Sequence, residues 1–510
     1  MSLDQIRQAL EQKQYPIEFK GHWVGGEWIN DRRAQSLSGS FNPNDGERIV
    51  HVTTSKFLAE QAVEAAYQSF NELKAMPFEK RIEVLGKFKQ VVGDYKDLLV
   101  TALRQEGGKP LWEAEQDFNS AMRQLDEVLG HEAQVIEHLV KPYSLNDKSK
   151  LSLHPLGICA VFQTFSTPLN TVVQSLIAGL VSGCPLVIMP SSHAALSGII
   201  LSHSLELLED LPKGAVNVVF GNYQSFAKCL QDRRVKGVIY SGSREHCDTI
   251  RGDFANVLDR ELILQSGGKN SVIVHESASV EDAVKLSLWG VVKSAGQLNT
   301  STSRIFVPKE KLEAFSEAIV PVIHNLRIGP SDEGDDPMMG PLYSQKAVDK
   351  FLRFQTMAKR EADDTLVWGK AYDAKNNGYF VSPGVHVFSS FDNSSSYQSN
   401  VFMCPDVVIY PYHSMEEAID FANTTKASLV TSMLGDPKSL EPYLPLVKSP
   451  NVLFNLPTVG ADVQPLLSGR ELCGGHRLNR FGLISLMTYP QACQSGEHFE
   501  SIMSEWPWSV

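Results

Sequence analysis

From His154 onward, the apolar positions of this 510-residue chain fall into short runs separated by stretches with helical spacing. ICAVFQ, PLVIMP, GAVNVVFG and VKGVIYSG are apolar throughout, the pattern of strands whose sheet is covered on both faces. Between them, LNTVVQSLIAGLVSG, ALSGIILSHSLELLED and SFAKCLQD have the length and spacing of helices, and a further helix runs through Leu258. This alternation predicts a doubly wound, Rossmann-like α/β domain. A second α/β unit is expected from about Glu261 to Gln464. Upstream, apolar residues recur near i, i+3 and i+4 from Lys56 to Gln105, which predicts helices. GHWVGGEWIN and FNPNDGERI read as strands with glycine-containing turns. Residues 1–20 have helical character without a strong apolar face and are expected to form a surface appendage. Val140–Ser152 has no helical period and reads as an extended excursion. The tail from ISLMTYPQACQ alternates as a returning strand would, and FDNSSSYQSN (391–400) reads as a polar loop.

Composition narrows the classes. A hydrophobic fraction of 43% with 21% charged residues is that of a soluble globular protein. The net charge of -12 is spread in small clusters such as Asp332–Asp336, which argues against a nucleic-acid surface. The most apolar run, Thr171–Pro190, is interrupted by Gln174, Ser182, Gly183 and Pro185, so it reads as a buried helix and strand rather than a membrane span. The N-terminal residues are polar and lack the apolar core of a signal peptide; a cytoplasmic location is expected. Seven cysteines are scattered without a CxxC, so neither a disulfide framework nor a metal site is predicted.

Several segments carry a more specific signal. QEGGKPLWEAEQDF, PLGICAVFQTFSTPLN, YSGSREHCDTI, ILQSGGKN, AGQLNTSTSR, SNVFMCPDVVIYPY and ELCGGHR resemble, in order, the motif blocks of the aldehyde dehydrogenase superfamily. The GGHR pattern is that of the succinylglutamic semialdehyde dehydrogenases within it. The resemblance runs from about Gly21 to Cys493. It implies a Rossmann-like cofactor-type domain at 1–139 and 153–260 and a catalytic-type α/β domain at 261–464. A β-arm at 140–152 and a tail at 483–510 would serve oligomerisation into a homodimer or homotetramer.

The resemblance also implies roles, and at six polar positions this chain departs from the family pattern. The catalytic cysteine falls on Asn299 and the general base glutamate on Gln265. The asparagine that donates to the oxyanion falls on Ser166. The lysine and glutamate that hold the adenine ribose of NAD(P) fall on Met189 and Ser192, and the glutamate at the nicotinamide ribose on Val401, or on Asn400 if a residue is inserted. Gly221 and Ser243 remain at the phosphate-binding turns, with Tyr223 and Phe226 where the family has later glycines. His476 and Arg477 are candidate contacts to an acidic small-molecule ligand. A carboxamide is no nucleophile, and Gln265 takes up no proton at neutral pH. Two readings stay open: a catalytically inactive ligand-binding, regulatory or structural homologue, with an active paralogue as a candidate partner, or an NAD(P)-dependent oxidoreductase that oxidises a semialdehyde through other residues.

Overall fold

The computed structural model describes residues 1–31, 36–146, 148–330, 337–372, 377–392, 394–460, 468–475 and 479–495. Two seven-stranded sheets organise them. In the first, strands Glu261–Ser266, Val235–Gly242, Ile158–Phe162, Leu186–Met189 and Val216–Val218 run parallel in that spatial order. The antiparallel hairpin Gly21–Val24 and Glu27–Asn30 closes one edge. The first strand of this unit in the chain, Ile158–Phe162, lies between strands reached in opposite directions. The strand order therefore reverses between Ile158–Phe162 and Val235–Gly242, where open α/β sheets place their ligand crevice.

Local sequence explains the covering helices. Pro168–Ser182 begins with proline in its first turn and ends at Gly183 with φ 79°, the usual pair of start and stop signals. This helix is mostly buried because it lies between the sheet and helix Leu111–Leu129. Ser243 and Ser279 cap helices Arg244–Asp253 and Val280–Val292 by accepting from His246 N and Asp282 N.

The second sheet runs Asp364–Val367, Gly384–Val387, Asp406–Tyr412, Thr302–Pro308, Asn270–Val274, Val430–Leu434 and Asn451–Phe454, parallel except for its first strand. The chain passes from one sheet to the other through the turn at Gly267–Lys269. A third sheet joins Tyr143–Asn146, Ser149–Pro155 and the tail strand Thr488–Gln494 within this one chain. No helix among the described residues is long and apolar enough to cross a membrane.

Two local expectations are corrected. The N-terminal residues are not an appendage: helix Leu3–Glu11 buries Ile6, Ala9 and Leu10 in the first core, and Ile17–Phe19 pairs with Val50–Thr54. Three residues at i, i+3 and i+4 make a narrow stripe, which suffices when a concave neighbour receives it. FDNSSSYQSN is likewise more than a polar loop. Helix Ser396–Ser399 inserts Tyr397, fully buried, into the second core.

Candidate functional site

Helix Val280–Val292 delivers the loop that carries Asn299. The loop begins with two left-handed residues, Ser294 (φ 51°) and Ala295 (φ 49°), a conformation that a side chain disfavours. Glu113 holds them in it: one carboxylate oxygen accepts from Ser294 N at 3.1 Å and the other from the Ser294 hydroxyl. Gly296 follows at φ 70°, and a Cβ there would lie 2.3 Å from the Cys404 carbonyl oxygen. Glycine is therefore required at this close approach. Gln297 accepts from Tyr343 N at 2.9 Å and donates to the Ser294 and Pro341 carbonyls at 2.9 and 3.3 Å.

Opposite this loop, strand Glu261–Ser266 presents Gln265, which is 1% exposed. Asn299 Nδ2 donates to Gln265 Oε1 at 3.3 Å, so the structure brings the two predicted catalytic positions together. The Gln265 Nε2 group is buried and has no hydrogen-bond partner among the described residues. Gly474 pairs with Gln265 as an isolated bridge, and a Cβ on Gly475 would fall 2.8 Å from that of Gln265. The segment 474–475 thus lies directly over the Gln265 side chain, and Asn299 is the partly exposed member of the pair.

The junction beneath the pair is tied by Asn270. Its Nδ2 donates to the carbonyls of Gly268, Asn299 and Ser301 at 3.2, 3.0 and 3.0 Å. Its Oδ1 accepts from Leu429 N and Val430 N at 3.2 and 2.9 Å. One buried carboxamide so joins three loops. Lys269 points away from the pair, and its ammonium donates to the carbonyls of Tyr397 and Asn400 at 3.3 and 2.8 Å. Burial, with Arg304 nearby, lowers its pKa to about 7. Arg304 is fully buried and donates to the carbonyls of Lys269, Phe421 and Ala422.

The other predicted positions lie around this centre. Ser166 accepts through its carbonyl from Lys109 Nζ at 2.6 Å; Lys109 is itself buried and ion-paired with Asp117. Lys109, Glu113, Ser166, Ser294 and Gln297 line a cavity of about 20 Å³, room for about one water. Val401 packs against Leu429, Val430 and Cys473. Met189 ends its strand at 8% exposure within an apolar cluster, and Ser192 starts a single helical turn, Ser192–Ala194. Ser243 is exposed at the N-terminus of its helix. Gly221 packs so closely on Ser225 Oγ that a Cβ would lie 2.3 Å from it. His476 and Arg477 lie outside the described residues. Among the described residues, no group of three or more His, Cys, Asp or Glu is arranged to hold a metal ion.

At the point where the strand order reverses, aromatic rings occupy the sheet face. Phe162 and Tyr240 are paired across the two strands with ring centroids 5.7 Å apart. Phe226 and Tyr223, from helix Tyr223–Leu230, meet Phe162 at 5.5 and 6.2 Å. Phe162 and Phe226 are buried in the same cluster as Met189. Nearby, Phe165 beside Ser166 and His193 beside Ser192 both contact Tyr343, at 4.5 and 5.0 Å.

Sequence reasoning passed over Asn270, Glu113 and Tyr397. For Asn270, the signal was an amide directly after the GGK turn. For Tyr397, it was a lone aromatic in a polar run. Glu113 was noticed only as part of a motif, because its partner Ser294 is far away in the chain.

The geometry has clear relatives. A family model described as "Aldehyde dehydrogenase family" matches residues 28–489. N-succinylglutamate 5-semialdehyde dehydrogenase of Vibrio cholerae is 25% identical over 483 residues, covering 93% of this chain and 97% of that one. The enzyme of the same name from a Caulobacter species is 26% identical over 95% of this chain and 98% of its own length. Mycobacterium tuberculosis aldehyde dehydrogenase, solved in complex with NAD+, superposes with a TM-score of 0.85 at 20% identity, over 95% of this chain and 99% of that one; that likeness shows the shared fold. With a family match spanning most of its length, this chain belongs to the aldehyde dehydrogenase family.

Proposed function

We propose that this protein is a catalytically inactive or severely impaired member of the family, serving as a ligand-binding, regulatory or structural homologue. The observation that carries this reading is the Asn299–Gln265 pair, two carboxamides hydrogen-bonded at 3.3 Å where the nucleophile and base are expected. Neither attacks a carbonyl or takes up a proton at neutral pH. The cysteines offer no substitute: six are buried and Cys493 is exposed on the third sheet. Burial pushes the Cys473 thiol up to about 12 and holds that of Cys404 well above its ordinary value, so neither supplies a thiolate.

The residues present also do not fit NAD(P), the cofactor the family implies. Met189 and Val401 carry no hydrogen-bonding side chain for a ribose and are packed in apolar surroundings. The rings of Phe162, Tyr223, Phe226 and Tyr240 fill the crevice face that a dinucleotide would need. Assembly as a homodimer or homotetramer through the third sheet, on its own or with an active paralogue, is part of this proposal. It is supported by the partly solvent-facing Tyr143 and Tyr489 on those strands.

The test is NADH formation by purified protein with N-succinylglutamate 5-semialdehyde and with simple aldehydes. We expect no rate above a mock preparation, since loss of the nucleophile alone costs roughly 10⁶ in a comparable covalent enzyme. Turnover that survives replacing each cysteine by alanine would overturn the reading. It would support the alternative, an NAD(P)-dependent oxidoreductase acting on a semialdehyde through other residues. That alternative is favoured by the full-length similarity to enzymes named for this activity.

A further inference from the structure

The unpaired amide of Gln265 says more about what this site takes. Gln265 is 1% exposed; its Oε1 is used by Asn299, while its Nε2 finds no acceptor among the described residues. Buried amide donors are nearly always paired, so an orphan beside a partly exposed partner marks a place for a ligand acceptor. Asn299 is held by its backbone, whose carbonyl accepts from Gly268 N and from Asn270 Nδ2, both at 3.0 Å. Its side-chain Nδ2 donates to Gln265, and its Oδ1 is an acceptor on a partly exposed residue.

The pair therefore offers one donor, Gln265 Nε2–H, and one acceptor, Asn299 Oδ1. We infer that it is a recognition site for an uncharged carboxamide, whose carbonyl accepts from Gln265 and whose N–H donates to Asn299. An aldehyde or a carboxylate presents acceptors only, so neither satisfies both groups. A carboxylate would also set its charge against Asn299 Oδ1. The two buried cations of the junction are spent on carbonyls: Lys269 on those of Tyr397 and Asn400, Arg304 on those of Lys269, Phe421 and Ala422. Among the described residues, the Met403 sulfur packs on Gly267 beside the pair.

This inference rests on the proposed absence of oxidation, because a bound amide has no hydride to give. The similarity to enzymes named for N-succinylglutamate 5-semialdehyde suggests the amide analogue as probe, namely N-succinylglutamine, with N-succinylglutamate as its acid counterpart. Calorimetry on the full chain should show the amide binding at least about tenfold more tightly than the acid. Butyramide against butyrate, compared by ligand-observed NMR, should show the same order without the rest of the molecule. Gln265→Met should lower amide affinity at least tenfold, and Asn299→Ala, a change at a partly exposed position, should lower it in the same direction. Equal or tighter binding of the acids, absence of amide binding at millimolar concentration, or unchanged affinity in both variants would overturn the inference. NADH formation in the separate assay would instead remove the reading beneath it.

Discussion

Gln265 and Asn270 are buried carboxamides on either side of the same glycine turn, yet they are connected very differently. Asn270 donates to three main-chain carbonyls and accepts from two main-chain N–H groups. Among the described residues, Gln265 has a single side-chain hydrogen bond, and its amide nitrogen has none. The contrast extends outward. Glu113, Gln297 and Arg304 are tied to backbone, whereas Val401 and Met189 only pack. Groups that hold backbone are needed for the fold whatever the chemistry. Groups facing a reactant are not, so on the proposed reading the frame of a catalytic site persists around residues that do not catalyse.

That contrast can be broken most sharply at its strong end. Asn270→Ala removes five hydrogen bonds to backbone groups at the junction and should cost on the order of 4–6 kcal/mol, read as the midpoint of denaturant unfolding. A loss under about 1 kcal/mol would show that the junction is held by other means.

Lys269 sharpens the comparison through pH. Its pKa is lowered from 10.5 to about 7 in the fold, so between those values the unfolded chain binds more protons and stability rises with pH. Relative to Lys269→Met, the native chain should gain on the order of 3 kcal/mol between pH 7 and 9.5. A parallel pH profile for the two proteins would contradict the uncompensated burial.

Glu106 titrates in the opposite sense. It accepts from Leu196 N and Ser197 N, both at 2.8 Å, but burial raises its pKa from 4.5 to about 7. The folded state then binds more protons between those values, and the contribution is lost as pH rises through 7. Compared with Glu106→Gln, the native chain should lose on the order of 2–3 kcal/mol from pH 4.5 to 7.5, measurable by urea unfolding at each pH. At the weak end, Gln265→Leu removes one long hydrogen bond and one orphan donor, and should change stability by less than about 1 kcal/mol. A larger loss would mean that Gln265 belongs to the frame after all.

What could be read from sequence follows the same division. The apolar runs ending at Phe162, Met189 and Val218 announced a covered parallel sheet because a strand buried on both faces leaves a local pattern. The glycines at 267, 268 and 296 stand at close approaches that only glycine allows, and the motif blocks around them located Gln265 and Asn299. The role of Asn270 was illegible because its partners Leu429 and Val430 lie far along the chain. Tyr397 hid in a serine-rich stretch, and the stripe of Ile6, Ala9 and Leu10 was too short to announce burial. The aromatic cluster at the strand reversal was visible only as side-chain size at Tyr223 and Phe226; its contacts with Phe162 and Tyr240 required the sheet register.

On the proposed reading, the frame survives without its chemistry or its cofactor site. The most direct measurement is calorimetry with NAD+ and NADP+ on the native chain and on the double variant Asn299→Cys, Gln265→Glu. The double variant should gain a thiol that alkylating reagents modify, since its loop keeps the family frame. Neither protein should bind either dinucleotide measurably, because the substitutions leave Met189, Val401 and the rings at Phe162, Tyr223, Phe226 and Tyr240 in place. Micromolar binding by the native chain would show a working cofactor site built by other means and would contradict the account.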